Sequence, residues 1–152
     1  MDITTAEHHE RISLKAEAPG AYRAMAAFGR SIELDSALRE LVKIRASRLN
    51  GCAYCIDMHT RAARKAGESE QRLYALAAWR ESPQFTSRER AALELTNAIT
   101  RIGESGVPDD VYERAAAEFA PGELANLILA ITAINAWDRI VVSSGMIVTE
   151  TA

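Results

Sequence analysis

The chain has 152 residues, a net charge of −3 and a pI near 5.7, with 48% hydrophobic and 26% charged residues. That describes one ordinary globular domain with chain enough for its own core, which excludes disorder, collagen-like repeats and disulfide-stapled miniature folds. The slight acidic balance offers no footprint for nucleic acid or for an anionic membrane surface.

Alanine occurs 28 times, and clusters of β-branched and aromatic residues are confined to the last segment, so the composition points to helices. Residues 1–16 show weak periodicity and read as an N-terminal arm, opening on Met1-Asp2-Ile3-Thr4-Thr5 without a basic start or an apolar run. No secretory signal is read there, and the expected address is cytoplasmic. Residues 17–152 read as one helical domain. Pro19-Gly20 precedes a helix from Tyr22 to about Ile32, and Leu38, Leu41, Val42, Ile44 and Leu49 mark an amphipathic helix capped by Asp35 or Ser36 and ended by Asn50-Gly51. The next helix runs from about Cys52 to Ala66, with Gly67 as its stop, and Ser69 restarts the chain toward Trp79.

Thr86-Ser87-Arg88-Glu89 is a capping box for a helix whose buried face is Ala91, Ala92, Leu95, Ala98, Ile99 and Ile102. Pro108-Asp109-Asp110 opens a helix reaching about Phe119. After Pro121-Gly122, the spacing Leu124, Leu127, Ile128, Ile131, Ile134 predicts a strongly apolar central helix through at least Trp137. The stretch from Leu124 to Val142 is interrupted by Asn126, Thr132, Asn135, Asp138 and Arg139, which reads as too polar for a membrane span. The expected fold is a single-domain, all-α bundle of about seven helices.

Chemistry concentrates in Cys52-Ala53-Tyr54-Cys55-Ile56-Asp57-Met58-His59, which holds both cysteines of the chain. On a helix, positions i, i+3 and i+7 share a face, so Cys52, Cys55 and His59 form one stripe. Residues at i and i+3 lie about 5 Å apart, inside the usual disulfide window of about 4.4 to 6.8 Å. The positive helix start and a histidine one turn beyond Cys55 both predict lowered thiol pKa values, hence a redox dithiol. A structural zinc needs four ligands where this motif supplies three, and the other histidines, His8 and His9, fall in the arm and read as solvated; no metal is expected. Haem attachment needs His where Ile56 stands, and a thioredoxin-like site needs a preceding strand. No nucleotide or flavin fingerprint is visible, and no cofactor is expected. Glu40, twelve residues before Cys52 on the preceding helix, can face the dithiol if the Asn50-Gly51 turn folds the two helices together.

Glu40 followed by Cys52-x-x-Cys55-x-x-x-His59 in an all-helical chain resembles the AhpD-like alkylhydroperoxidase, or carboxymuconolactone decarboxylase, family. The likeness runs from about Leu34 to Gly67, and more loosely over residues 126–139, where Asn135-Ala136-Trp137 resembles the family's downstream Asn-aromatic stretch. It implies a thiol peroxidase in which Cys55 is peroxidatic, Cys52 resolves, and Glu40 with His59 relays the proton through water. It further implies a hydroperoxide substrate, a dithiol reductant such as a lipoylated protein, and a homo-oligomer, commonly a trimer or hexamer. The apolar last helix with Val141-Val142 and Met146-Ile147-Val148 is expected to contribute to that interface.

The helix-start argument alone favours Cys52 as the more acidic thiol, whereas the resemblance assigns the attack to Cys55. The peroxidase members carry His immediately before the second cysteine; here that residue is Tyr54, and a phenol, with an unperturbed pKa of about 10, is a poor base near neutrality. Tyr54 and Trp137 are therefore auxiliary candidates, Trp137 as a pocket wall. The decarboxylase branch does not rely on a cysteine pair, so retention of both thiols argues against decarboxylation. Two rivals to peroxide reduction remain open: a protein disulfide reductase or redox sensor, and a helical oligomer with inert buried thiols.

Overall fold

The computed structural model describes residues 9–147; the first eight residues, including His8, and the end from Val148 lie outside the described part. Among the described residues the chain forms eight α-helices and one 3-10 turn, with no strand, so the all-α expectation holds. The helices are α1 (Leu14–Glu17), α2 (Pro19–Ser31), α3 (Ser36–Asn50), α4 (Ala53–Lys65), α5 (Glu70–Ala75), α6 (Ser87–Thr100), α7 (Asp109–Glu118) and α8 (Pro121–Ser144), and Leu76–Ala78 is the 3-10 turn. The additional helix relative to the sequence expectation is the single turn α1.

Local chemistry sets these boundaries. The Asp35 carboxylate accepts from Leu38 N–H at 3.0 Å, and Ser69 Oγ accepts from Arg72 N–H at 3.1 Å, each satisfying an orphan donor of a first turn. At α6 the capping box is complete: Thr86 Oγ1 accepts from Glu89 N–H, and the Glu89 carboxylate accepts from Thr86 N–H. That helix stops at Thr100, so Ile102, expected on its buried face, falls off the helical period and is 61% exposed.

Helix α3 is the hub, packing against α4, α6 and α8. Leu38 and Val42 join Leu95, Leu127 and Ile131 in one core cluster, while Leu41 and Ile44 face Leu73, Leu76, Trp79 and Leu93 in a second. Helix α8 does what its periodicity predicts: Leu124, Leu127, Ile131 and Ile134 are buried. By length and composition alone it is apolar enough to cross a membrane, a property that buried core helices share, and half of its most apolar stretch is buried against the rest of the fold. It ends at Gly145, whose φ of +73° is the left-handed conformation that glycine tolerates best. A Cβ there would come within 2.8 Å of the His9 carbonyl oxygen, because the N-terminal segment crosses at this point and Arg11 N–H donates to Ser144 O at 2.7 Å.

Candidate functional site

The turn between α3 and α4 builds the site. Gly51 takes φ +69° as the left-handed cap of α3, which folds α4 straight back against it. Cys52 is consequently not helical. It is the N-cap of α4, with φ −87° and ψ 95°, and its Sγ accepts from Cys55 N–H at 3.3 Å. Both cysteines are free thiols, each 1% exposed. Their sulfurs lie within 4.8 Å of each other, close enough for a disulfide after a small movement.

The same fold-back places Glu40 of α3 against His59 of α4. Glu40 Oε2 lies 2.9 Å from His59 Nδ1, with both side chains nearly buried. Burial by itself would push the Glu40 carboxyl up; the hydrogen bond and charge of His59, helped by Lys43 and Arg39, outweigh it and hold the carboxyl below its ordinary value. An ionised carboxylate only accepts, so Nδ1 carries a proton, and in the neutral form of the ring Nε2 is left with the free lone pair. Among the described residues no hydrogen bond joins His59 to either sulfur.

The thiols are not acidified, which corrects the sequence expectation. Burial pushes Cys55 far above the ordinary thiol value, and its neighbours Cys52 and Asp138 push it further. Cys52 is also raised, first by burial, although its interactions with Cys55 partly offset this. The helix start does assist Cys52, but desolvation of a sulfur anion in an apolar setting is the larger effect.

Asp138 is the residue that the sequence shows only as a break in the apolar stretch of the last helix. Its side chain instead points inward, fully buried, with a carboxylate oxygen within 4.8 Å of both sulfurs. Ser47 Oγ donates to Oδ1 at 2.8 Å and Asn50 Nδ2 to Oδ2 at 2.7 Å. Asn50 also donates to Asn135 Oδ1 at 2.9 Å, and Asn135 Nδ2 reaches Thr100 Oγ1 at 2.9 Å. Arg139 turns back to Asn135 on its own helix. The available signal was positional: Asp138 continues the buried stripe Ile131, Ile134, Val141 at steps of three and four. Two sulfurs and a carboxylate could together hold a soft metal ion, one ligand short of a closed zinc site. Asp57 is half-buried and pairs with Arg61 at 2.9 Å.

Two cavities meet the dithiol from different sides. The first, about 280 Å³ and mainly apolar, is walled by Cys55, His59, Tyr54, Met58, Ile134 and Trp137, with Arg39 and Lys43 also on its lining. Trp137 is held edge-on against Tyr22, ring centroids 5.4 Å apart. The second, about 360 Å³ and more polar, is lined by Cys52, Gly51, Tyr54, Val142, His9 and Arg11. Glu40, Cys52, Cys55 and His59 are thus brought together, and Tyr54 and Trp137 stand at the cavity that Cys55 faces.

The model of the carboxymuconolactone decarboxylase family matches residues 16–98, more than half the chain and the whole segment from Glu40 to His59. The chain belongs to this family. It is 42% identical over 139 residues to the uncharacterized protein YdfG of Bacillus subtilis, covering 90% of this chain and 95% of that one. Over 98 residues it is 34% identical to the uncharacterized protein YnjA of Escherichia coli, covering 64% of this chain and about half, 53%, of the relative. A crystal structure from Agrobacterium tumefaciens superposes with a TM-score of 0.89 at 39% identity, covering 94% of this chain and all of that one; that protein, of unknown function, is provisionally described as the antioxidant defence protein AhpD. A peroxidase-related protein from Silicibacter shares the fold at a TM-score of 0.77 and 21% identity, covering 90% of this chain and 75% of that one. The fold is therefore AhpD-like, and a neighbouring pair of free thiols within it supports a redox role.

Proposed function

We propose that this chain is a cysteine-based hydroperoxide reductase. The observation that carries the reading is that Cys55 forms part of the wall of an apolar cavity beside a histidine clamped by a carboxylate, with a second thiol adjacent. His59 takes the Cys55 proton, through a water where needed, as the peroxide enters. The sulfur attacks the O–O bond, gains the terminal oxygen as a sulfenic acid, and the alcohol leaves with the proton. Cys52 then displaces water from that sulfur to close the disulfide. Because burial keeps both thiols protonated at rest, thiolate is formed when substrate arrives rather than stored. Tyr54 and Trp137 shape the cavity.

A dithiol reductant, of the lipoyl type in this reading, regenerates the pair. Its thiolate attacks Cys52 from the second, more polar cavity, Cys55 leaves as thiolate and is reprotonated, and the second reductant thiol releases Cys52. That same cavity favours, as a second reading, disulfide exchange with a protein partner without strong peroxidase activity. Exposed Ile12, Val142 and Ile147, near where the N-terminal segment meets the end of α8, support assembly into a homo-oligomer, for which the family resemblance implies a trimer or hexamer.

Cumene hydroperoxide with a sulfenic-acid trap tests the roles. The Cys52→Ser protein is expected to give the adduct on Cys55 and the Cys55→Ser protein none. An adduct confined to Cys52 in Cys55→Ser would reverse the roles, and exchange with small disulfides without any peroxide reaction would establish the second reading.

A further inference from the structure

We propose that the cavity facing Cys55 binds an amphipathic carboxylate, so that the preferred substrate is the hydroperoxide of a medium-chain or aromatic acid. This deepens the peroxidase reading and rests on it for the word substrate, though not for the binding of the anion.

Arg39 and Lys43 are one turn apart on α3 and both line a cavity that is otherwise mostly apolar. No carboxylate is among the described residues lining it. Arg39 Nε is buried without a hydrogen-bond partner; its nearest anion, Glu40 Oε1, is 3.9 Å away, beyond hydrogen-bond reach. Glu40 is committed through its other oxygen to His59. Two cations against one carboxylate leave this wall positive even with His59 neutral. Lys43 is held there although burial lowers its pKa, the direction expected for a cation drawn from water. The groups acting most strongly on the Cys55 thiol are burial, Cys52 and Asp138; Arg39 and Lys43 act instead on Glu40, helping to keep it ionised, and that single carboxylate does not offset two cations.

A ligand that satisfies this wall carries an acceptor-only head for Arg39 and Lys43 and an apolar body for Ile134, Met58 and Trp137. About 280 Å³ is the space of roughly nine waters at about 30 Å³ each, which suits a body of eight to ten heavy atoms, roughly. The carboxylate takes no part in the reaction. Cys55 takes the terminal oxygen, the O–O bond breaks, the hydroxy acid leaves, and disulfide formation releases water.

Calorimetry on the reduced full chain, without peroxide, compares octanoate with 1-octanol. Octanoate is expected to bind about tenfold tighter or more, the range of a charge-assisted hydrogen bond, with the ratio falling toward one in Arg39→Gln/Lys43→Gln. Octanoate binding no tighter than octanol to the wild type overturns the proposal, whether or not the double variant folds. In parallel, thiol loss is followed with a para-carboxylated cumene hydroperoxide and its methyl ester, the acid being expected to react about tenfold faster. Octanoate preference with no thiol loss from either peroxide supports the anion site while overturning the peroxidase reading. Thiol loss at equal rates, with no octanoate preference, does the reverse.

Discussion

Helix α8 has two halves with different work to do. Its first half buries Leu124, Leu127 and Ile131 in the apolar cluster shared with α3, α6 and α7. Its second half buries Asn135, Asp138 and Ser144 and carries a carboxylate to the sulfurs. One apolar stripe thus supplies stability at one end and sets the thiol environment at the other. The lesson is that a polar residue on a buried stripe marks where the stripe meets the chemistry.

Substitutions should separate the halves. Leu127→Ala, at a fully buried position, is expected to cost about 2–5 kcal/mol in denaturant unfolding, while leaving the alkylation rate of the folded thiols nearly unchanged. A large reactivity change would mean the halves are coupled. Asp138→Asn is expected to cost less, about 1–3 kcal/mol, because the new amide faces the Asn50 donor that Oδ2 now satisfies. It should nonetheless speed iodoacetamide labelling at fixed pH, since a carboxylate that raises both thiols is gone. Unchanged labelling would remove Asp138 from the site.

The pH profile gives a third separation. A thiol raised in the folded state keeps its proton while the unfolded chain loses one, so the reduced protein should lose stability as pH rises past the ordinary thiol value of 9.0. The Cys52→Ser/Cys55→Ser protein should lack that slope. Glu40 acts in the opposite window: its lowered pKa contributes stability above the ordinary 4.5 that is lost as pH falls through the folded value. Smallest of all, Thr86→Ala removes a cap far from the sulfurs and should cost about 1 kcal/mol by thermal or chemical unfolding, with no effect on thiol chemistry.

Helices were legible because they are local: the caps at Asp35, Ser69 and Thr86 and the glycine turn at Gly51 sit where the sequence places them. Glu40 meeting His59 was legible only by assuming that Gly51 folds α4 back on α3, and it does. What the spacing hid was environment. Cys52 and Cys55 share a turn, but whether that turn faces water or α8 is a tertiary fact, and desolvation reversed the expected sense of their acidity. Nothing in the sequence singles out Arg39 and Lys43; that they line the cavity beside Cys55 is visible only in the fold.

The measurement to make first is intact mass and free-thiol count on the reduced native protein before and after one equivalent of an organic hydroperoxide, repeated with Cys55→Ser. Loss of both thiols and about 2 Da in the wild type, absent in the variant, is the predicted result and means a peroxide-driven Cys52–Cys55 disulfide. Two thiols left intact, under conditions that oxidise a control thiol peroxidase, would contradict peroxide reduction by this pair.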